Sequence, residues 1–426
     1  MKKPELLAPA GDFEKLKIAI AYGADAVYGG VSHFSLRCHS GKEFDYETFK
    51  KAVDYAHNKN VKVYATVNSF PFENQLPLVE EHIKKLKEIG VDAMIVSTLG
   101  VIKKVKEIAP EIDIHLSTQA NALNSWDYEA YKSFGVKRII AARETSLNDL
   151  IKIKQKVPDI EIEIFVHGAM CFAYSGRCLL SALQFGRNPN KGSCANDCRY
   201  PYVLYAENPE TGKLFRLEEY KDGTYIMNSK DLCLIEHIPE ILKAGVVDSL
   251  KIEGRTKAPY YVGVVTKAYR NAIDEFLNTG ECDCKKYLKE ILTTKNRGLT
   301  DAYLIKRPFE RDDTQNLKTS LTYGEWQVSG IVNEDEKTFM CKYKTFPGDI
   351  VEIVAPSDDI KECENEIGKI YKEDGKWYLK FYKIVTISGK ELKAVHSGNT
   401  NPIMLPCKLP YLTFLRKKVD FSPNGV

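Results

Sequence analysis

The chain has 426 residues, 44% of them hydrophobic, which supplies a large core and is long for one domain. A formal net charge of only +3 excludes a globally polycationic nucleic-acid binder, and no zinc-finger, helix-turn-helix or RNA-recognition signature is present. No apolar run is long enough for a signal peptide or a membrane-spanning helix, so a soluble cytoplasmic protein without a membrane partner is expected.

From residue 5 to about 255, short apolar runs alternate with amphipathic segments. The runs are ELLAPAG, DAVYGG, VKVYATVN, DAMIVST, IDIHLSTQ, KRIIAARE, IEIFVHG and, after a long interruption, DSLKIEGR. Segments such as YETFKKAVDYAHNK and LVEEHIKKLKEIG lie between them, with apolar residues at helical spacing. Eight strands alternating with helices predict an α/β fold, a (β/α)8 TIM-type barrel over residues 1–280. An open doubly wound sheet fits the same count. The recurrent phrase in YGADAV, IGVDAM and AGVVDS favours the barrel, because it repeats one helix-to-strand turn with Gly as the cap.

Polar residues cluster where these strands end: Asn68, then Ser97 and Thr98, then Ser117, Thr118 and Gln119, then Arg143 and Glu144, then His167, then Glu253 and Arg255. In a barrel all of these ends face one mouth, where such folds place their chemistry. Ser97, Thr98 and Thr145 also serve as helix caps.

The interruption, about residues 170–224, is far longer than an ordinary connection. It carries Cys171, Cys178, Cys194 and Cys198, four of the chain's eleven cysteines. Thiols gathered on a Gly- and Asn-rich loop suit a soft metal or an iron–sulfur cluster. Small buried hydrophobes or a disulfide are the plainer readings of the same residues. Cys233 is a fifth thiol within reach, and Cys38 follows a predicted strand. Around the loop, Arg177, Arg187, Lys191, Arg199, Tyr200 and Tyr202 compose a basic and aromatic patch if the fold assembles them.

Residues 281–322 read as a linker or extended arm on the barrel surface, with Arg297 and Tyr303 in reach of a site. Residues 323–426 read as a small β-barrel of five or six strands, from WQVSGIV, KTFMCKYK, GDIVEIVAP, IGKIYKE and KWYLKFY. Cys282, Cys284, Cys341, Cys363 and Cys407 fit loop or core thiols.

The phrases LLAPAGD, GADAVYGG, HLSTQAN, EIFVHGAMCFAYSGRCLLS, GSCANDCRYPY and SLKIEGRTK together closely resemble the collagenase-like family of peptidases of unassigned catalytic type, the thirty-second such family. The resemblance implies a barrel with a [4Fe–4S] cluster on cysteines of this motif. Cys171, Cys178 and Cys194 align with family ligands; the fourth is Cys233 or Cys198, with Cys233 ranked first. Within the family the chain looks most like the branch that hydroxylates the wobble uridine of tRNA, with prephenate as co-substrate and tRNA as partner. Two carboxylates on that co-substrate call for cations, and Arg143, Arg177 and Arg255 are the candidates. His115, His167, Glu144 and Glu253 are candidate proton carriers, with Gln119 and Asn68 orienting substrate. The family name keeps a peptidase as the alternative, with Cys171 as nucleophile and His167 as base, although no HExxH or GxSxG motif is present.

Overall fold

The computed structural model describes residues 2–31, 44–217, 227–307, 310, 313–318, 322 and 324–419. Cys38 lies outside them. Eight parallel strands form a closed ring: β1 (Glu5–Pro9), β2 (Ala26–Gly29), β3 (Lys62–Val67), β4 (Ala93–Val96), β5 (Asp113–Leu116), β6 (Arg138–Ile140), β7 (Glu161–Ala169) and β8 (Ser249–Ile252). Each pairs with the next, and Ser249 of β8 stands opposite both Glu5 of β1 and Glu163 of β7. That double pairing selects the barrel over the open sheet, and all eight strands fall on the runs predicted for them.

The helices form for local reasons. Tyr46–His57 buries Phe49, Ala52, Val53 and Ala56, a spacing of three and four, and Asp45 caps it by accepting from Thr48 N at 2.7 Å. Leu76–Ile89 ends at Gly90 with φ 85°, which a Cβ would disfavour. The Asp that follows each such Gly has a further task. Asp25, Asp92 and Asp248 accept from the backbone N–H of Leu6, Val63 and Ile162 at 2.8, 2.7 and 3.0 Å. Each carboxylate thereby ties its own strand to the preceding neighbour in the ring.

The lower lumen holds a charged layer. Arg138 reaches Glu5, Glu161 and Glu163 at 2.5, 2.8 and 3.2 Å, and Lys251 reaches Glu163 at 2.9 Å. Tyr28, Tyr64, Ile95, Ile140 and Phe165 pack together as the apolar layer of the lumen. His115 lies inside the lumen against the Tyr64 ring, 4.6 Å between centroids, one layer below Ser117. It is therefore beneath the mouth, not at it.

His167 departs further from expectation. Strand alternation places it in the lumen with Glu163 and Phe165, but the β7–β8 register shifts between Lys251 and Ile252, so one residue of β7 is extra. Past this bulge the imidazole faces outward. It packs on Tyr261 and Tyr269 of the helix Pro259–Thr279, with Nδ1 3.4 Å from the Tyr269 hydroxyl. Burial holds His115 well below the usual histidine range and His167 at about 4.

After β7 the insertion forms a short helix, Leu180–Phe185, and a two-stranded ribbon, Leu204–Asn208 with Lys213–Leu217. The chain returns to the ring as Asp231–Cys233, antiparallel to the end of β7. The segment read as an extended arm contains a helix, Cys284–Ile291, and a strand, Leu299–Thr300, which pairs with Asp231 and Leu232. Arg297 does not reach a site; it is buried in an ion pair with Asp231.

The C-terminal region is an eight-stranded antiparallel sheet curled as a half-barrel, ordered Cys363–Glu364, Gly368–Glu373, Lys376–Phe381, Ile350–Val354, Phe414–Lys418, Trp326–Val332, Thr338–Cys341, Ile403–Met404. The five predicted strands are present and three more join them. One of these, Phe414–Lys418, pairs on both edges, though only Phe414 and Leu415 mark it as apolar. Cys363 and Cys407 form a disulfide where free thiols were expected, closing a 44-residue separation from an edge strand.

Arg416 joins this sheet to the barrel. Its side chain is fully buried and meets Tyr260 Oη at 2.7 Å, Thr293 Oγ1 at 3.0 Å, Glu352 at 2.5 Å and Glu290 at 2.9 Å. Tyr22 adds hydrogen bonds to the carbonyls of Val354 and Leu412 at 2.7 and 3.1 Å.

Replacing Arg416 by Met leaves buried Glu352 without its closest partner and is expected to cost about 3–5 kcal/mol, read as a lowered urea midpoint. The histidines set an acid limit. Unfolded His167 takes up a proton as pH falls through about 6.5, whereas the folded ring resists until about 4. Its contribution is therefore present at neutral pH and lost below 6.5, about 2 kcal/mol between pH 7 and 5, with His115 acting in the same direction. Urea midpoints at the two pH values test this, and His167→Gln is expected to flatten the dependence by that amount.

A candidate active site at the mouth of the barrel

The carboxyl ends of the strands and the Cys-rich insertion enclose a cavity of about 410 Å³. Thr66 and Asn68 follow β3, Ser117 and Gln119 follow β5, Arg143 follows β6, and Lys251, Glu253 and Arg255 come from β8 and the turn after it; all line the cavity. Met170, Cys171, Arg177, Cys178, Cys194, Asp197, Cys198 and Arg199 close it from the insertion.

The cations are fixed by their neighbours. Arg255 donates from Nη1 to Thr66 Oγ1 at 3.1 Å, and the same hydroxyl donates to the Gly29 carbonyl at 3.1 Å. Arg177 Nε donates to the Gln119 carbonyl at 2.7 Å, which pins the insertion to the end of β5. The Arg143 guanidinium lies 4.4 Å from the Phe165 ring centroid, and its buried Nε has no hydrogen-bond partner among the described residues. Lys251 lies 4.4 Å from the Tyr28 ring centroid at the floor; burial depresses its pKa, against the opposing pull of Glu163. Five cations thus face two carboxylates, Glu253 and Asp197. A cavity with that imbalance suits an anion held by charge-assisted hydrogen bonds. Gln119 is oriented by Ser97, whose hydroxyl donates to Oε1 at 3.3 Å and to the Asn68 carbonyl at 3.0 Å.

Four thiols occupy one wall. Cys178 Sγ accepts from Leu180 N at 3.3 Å and Cys194 Sγ from Asn196 N at 3.4 Å. Ser181 donates to Asp197, and its oxygen stands 3.9 Å from the Cys194 sulfur. Cys171 and Cys198 line the same cavity as Cys178 and Cys194. Burial pushes the Cys171 thiol up and Cys198 to about 11. The sulfurs share a wall without converging: among the described residues no three His, Cys, Asp or Glu side chains stand in metal-holding geometry.

Cys233 is placed elsewhere, whereas Cys198 lines the cavity. It sits opposite His167 in the strand pairing, with its sulfur 3.9 Å from the Tyr269 hydroxyl, and does not line the cavity. Glu144 is also outside the lining. It accepts from the backbone N–H and hydroxyl of Ser175, whose φ of 43° is the left-handed turn that brings Arg177 over the mouth. Glu144 is thus a positioning residue for the insertion. Tyr303 lines a small neighbouring pocket that it shares with Arg143. The peptidase pairing of Cys171 with His167 is not assembled, since the imidazole faces the outer helix, away from the cavity.

Sequence reasoning missed three lining residues. Lys251, carried within DSLKIEGR, pairs with Glu163 and also forms the floor. Thr66 lies within a strand with no polar neighbour to flag it. Asp197, buried and with Oδ1 unpartnered among the described residues, was visible only as part of GSCANDCRYPY.

Among known proteins, the chain is 54% identical over 98% of its length, and the whole of the relative, to "tRNA hydroxylation protein P" of Helicobacter pylori. It is 38% identical over 84% of its length and 88% of the relative to the protein of the same name in Escherichia coli. It is 32% identical over 71% of its length and 73% of the relative to "Collagenase" of Porphyromonas gingivalis. The model of peptidase family U32 matches residues 11–314, so the chain belongs to that family.

Proposed function

We propose that the chain is a tRNA-modifying enzyme that hydroxylates C5 of a wobble uridine, with prephenate as the hydroxyl-donating co-substrate and a [4Fe–4S] cluster on Cys171, Cys178, Cys194 and Cys198. The observation that carries the reading is the joint wall of one cavity: four thiols beside Arg143, Arg177, Lys251 and Arg255. The name and near-complete coverage of the Helicobacter pylori relative support the reaction class.

The donor chemistry suits such a group, and the four sulfurs would have to draw together to hold it. Thiols on irregular backbone, two of them accepting backbone N–H bonds, are the ligand type that thiolate-held iron uses, and a bound metal displaces thiol protons that burial alone retains. When bound, the cluster supplies one-electron chemistry or an open iron position.

The chain's own residues do the rest. Arg143 and Arg255 project into the cavity from the ends of β6 and β8, each able to take a carboxylate in two parallel hydrogen bonds. Thr66 and the Tyr28 ring hold Arg255 in that direction. Lys251 closes the floor as a third cation tied to Glu163. Glu253, on the same wall, is our candidate to take the proton from C5 of the uracil, while the electron pair of the broken C–H bond passes to the hydroxyl-donating co-substrate as the C–O bond forms. Asn68 and Gln119 supply amide donors and acceptors of the kind that read a base edge. Met170 and Phe165 keep the interior apolar, so these charges act at low dielectric.

The peptidase alternative lacks a nucleophile–base pair here. Burial raises Cys171, and its expected partner is turned away.

Mass spectrometry of tRNA nucleosides from cells lacking the gene is expected to show loss of 5-hydroxyuridine derivatives, restored by the intact gene. Arg143→Ala or Arg255→Ala is expected to lower that product about a hundredfold with the protein still folded. A second prediction separates the thiols. Cys171→Ser, Cys178→Ser, Cys194→Ser and Cys198→Ser are each expected to lose iron and visible absorption after anaerobic purification, whereas Cys233→Ser retains both.

A further inference from the structure

The insertion has an outer face that meets the cavity at its rim, where Arg199, Phe172 and Leu179 also line the cavity. Large apolar side chains are ordinarily scattered singly on a surface, yet here they are concentrated. Leu183 is 82% exposed, Phe72 59%, Phe185 53% and Tyr200 47%, and Phe172 and Leu179, also exposed, continue the surface into the cavity lining. Phe185 and Tyr200 stand edge to face with centroids 6.1 Å apart. Lys191 lies 3.6 Å from the Phe72 ring centroid, and Phe70 N donates to the Asn190 carbonyl at 3.2 Å, so the loop after β3 and the insertion form one surface.

Charge identifies what such a face meets. Residues 171–205 contain Arg177, Arg187, Lys191 and Arg199, and their one carboxylate, Asp197, is 1% exposed. A face whose insertion part has cations and no exposed acid, with Glu73 the exposed carboxylate beside Phe72, and which interleaves aromatic rings, matches a phosphate backbone whose bases are unpaired and free to stack. A second copy of this chain would set like charge against like charge on this face. The cavity adds a constraint: its chemistry lies under a roof, so a base must leave its stack to enter.

We propose that this face docks an unpaired RNA strand beside the mouth, with bases stacking on Phe72, Phe185 and Tyr200 and phosphates meeting Arg187, Lys191 and Arg199. It rests on the tRNA reading above and adds how the substrate is held: as a loop, not a duplex.

Fluorescence anisotropy with the full-length protein tests it, using a labelled RNA hairpin that carries a wobble uridine in a seven-base loop and a fully paired duplex of the same length. The hairpin is expected to bind about tenfold or more tighter than the duplex. Phe185→Ala combined with Tyr200→Ala is expected to weaken the hairpin about tenfold or more, with Tyr200→Phe near the parent. Lys191→Ala with Arg199→Ala is expected to reduce the slope of log affinity against log salt by about two. Circular dichroism confirms that each variant is folded. Equal affinity of the aromatic variant and the parent overturns the proposal, as does a change from dimer to monomer with RNA affinity unchanged, which assigns the face to self-association. The two readings fail separately. Aromatic variants that hydroxylate tRNA with unchanged KM remove the docking face alone; rim-dependent RNA binding without any hydroxylated product removes the reaction alone.

Discussion

A four-residue strand bonded on both edges decides the architecture. β8 pairs with β1, more than two hundred residues earlier, and with β7, and so converts a ribbon of strands into a ring. Closure directs every strand end to one side and puts Lys251, Glu253 and Arg255 into the cavity that Thr66, Asn68, Gln119 and Arg143 line from other strands. The ring is held by devices repeated along the chain, the Asp25, Asp92 and Asp248 carboxylates that each fasten a strand to its neighbour.

Electrostatics inside the ring are layered. Carboxylates lie low, where Glu5, Glu161 and Glu163 share Arg138, and Arg143 and Arg255 lie high, where they face the cavity. Lys251 links the layers, its ammonium held by Glu163 from below. A formal net charge of +3 says nothing of this partition. Separating opposite charges along the axis gives the mouth its preference for anions while each buried carboxylate keeps a partner.

The C-terminal half-barrel stands apart from the chemistry. It packs on the outer helices through Tyr22, Tyr260 and Arg416, and none of its described residues lines the cavity. Its disulfide lies at the far edge of its own sheet. The insertion, in contrast, is tied to the barrel by bonds that converge on the mouth: Glu144 to Ser175, Arg177 to Gln119, and Phe70 to Asn190. It is a roof with defined anchor points.

Much of this was legible in the order of residues alone. Period-two and helical spacing report which faces are apolar, and a backbone buried on both sides has few ways to satisfy its hydrogen bonds, so eight strands, their ends and five of the eight strands of the second region follow from local pattern. Cysteine density in GRCLLS and GSCANDC likewise marked the roof. What local pattern lacks is any record of partners distant in sequence. One extra residue in β7 rotates His167 from lumen to outer helix, and a strand pairing carries Cys233 to Tyr269 while Cys198 joins the cavity wall. The strand holding Arg416 resembles a charged surface segment until Glu352, Glu290 and Tyr260 surround it. Periodicity states how a residue faces its immediate neighbours, whereas register, bulges and charge pairing depend on which neighbours the closed ring brings.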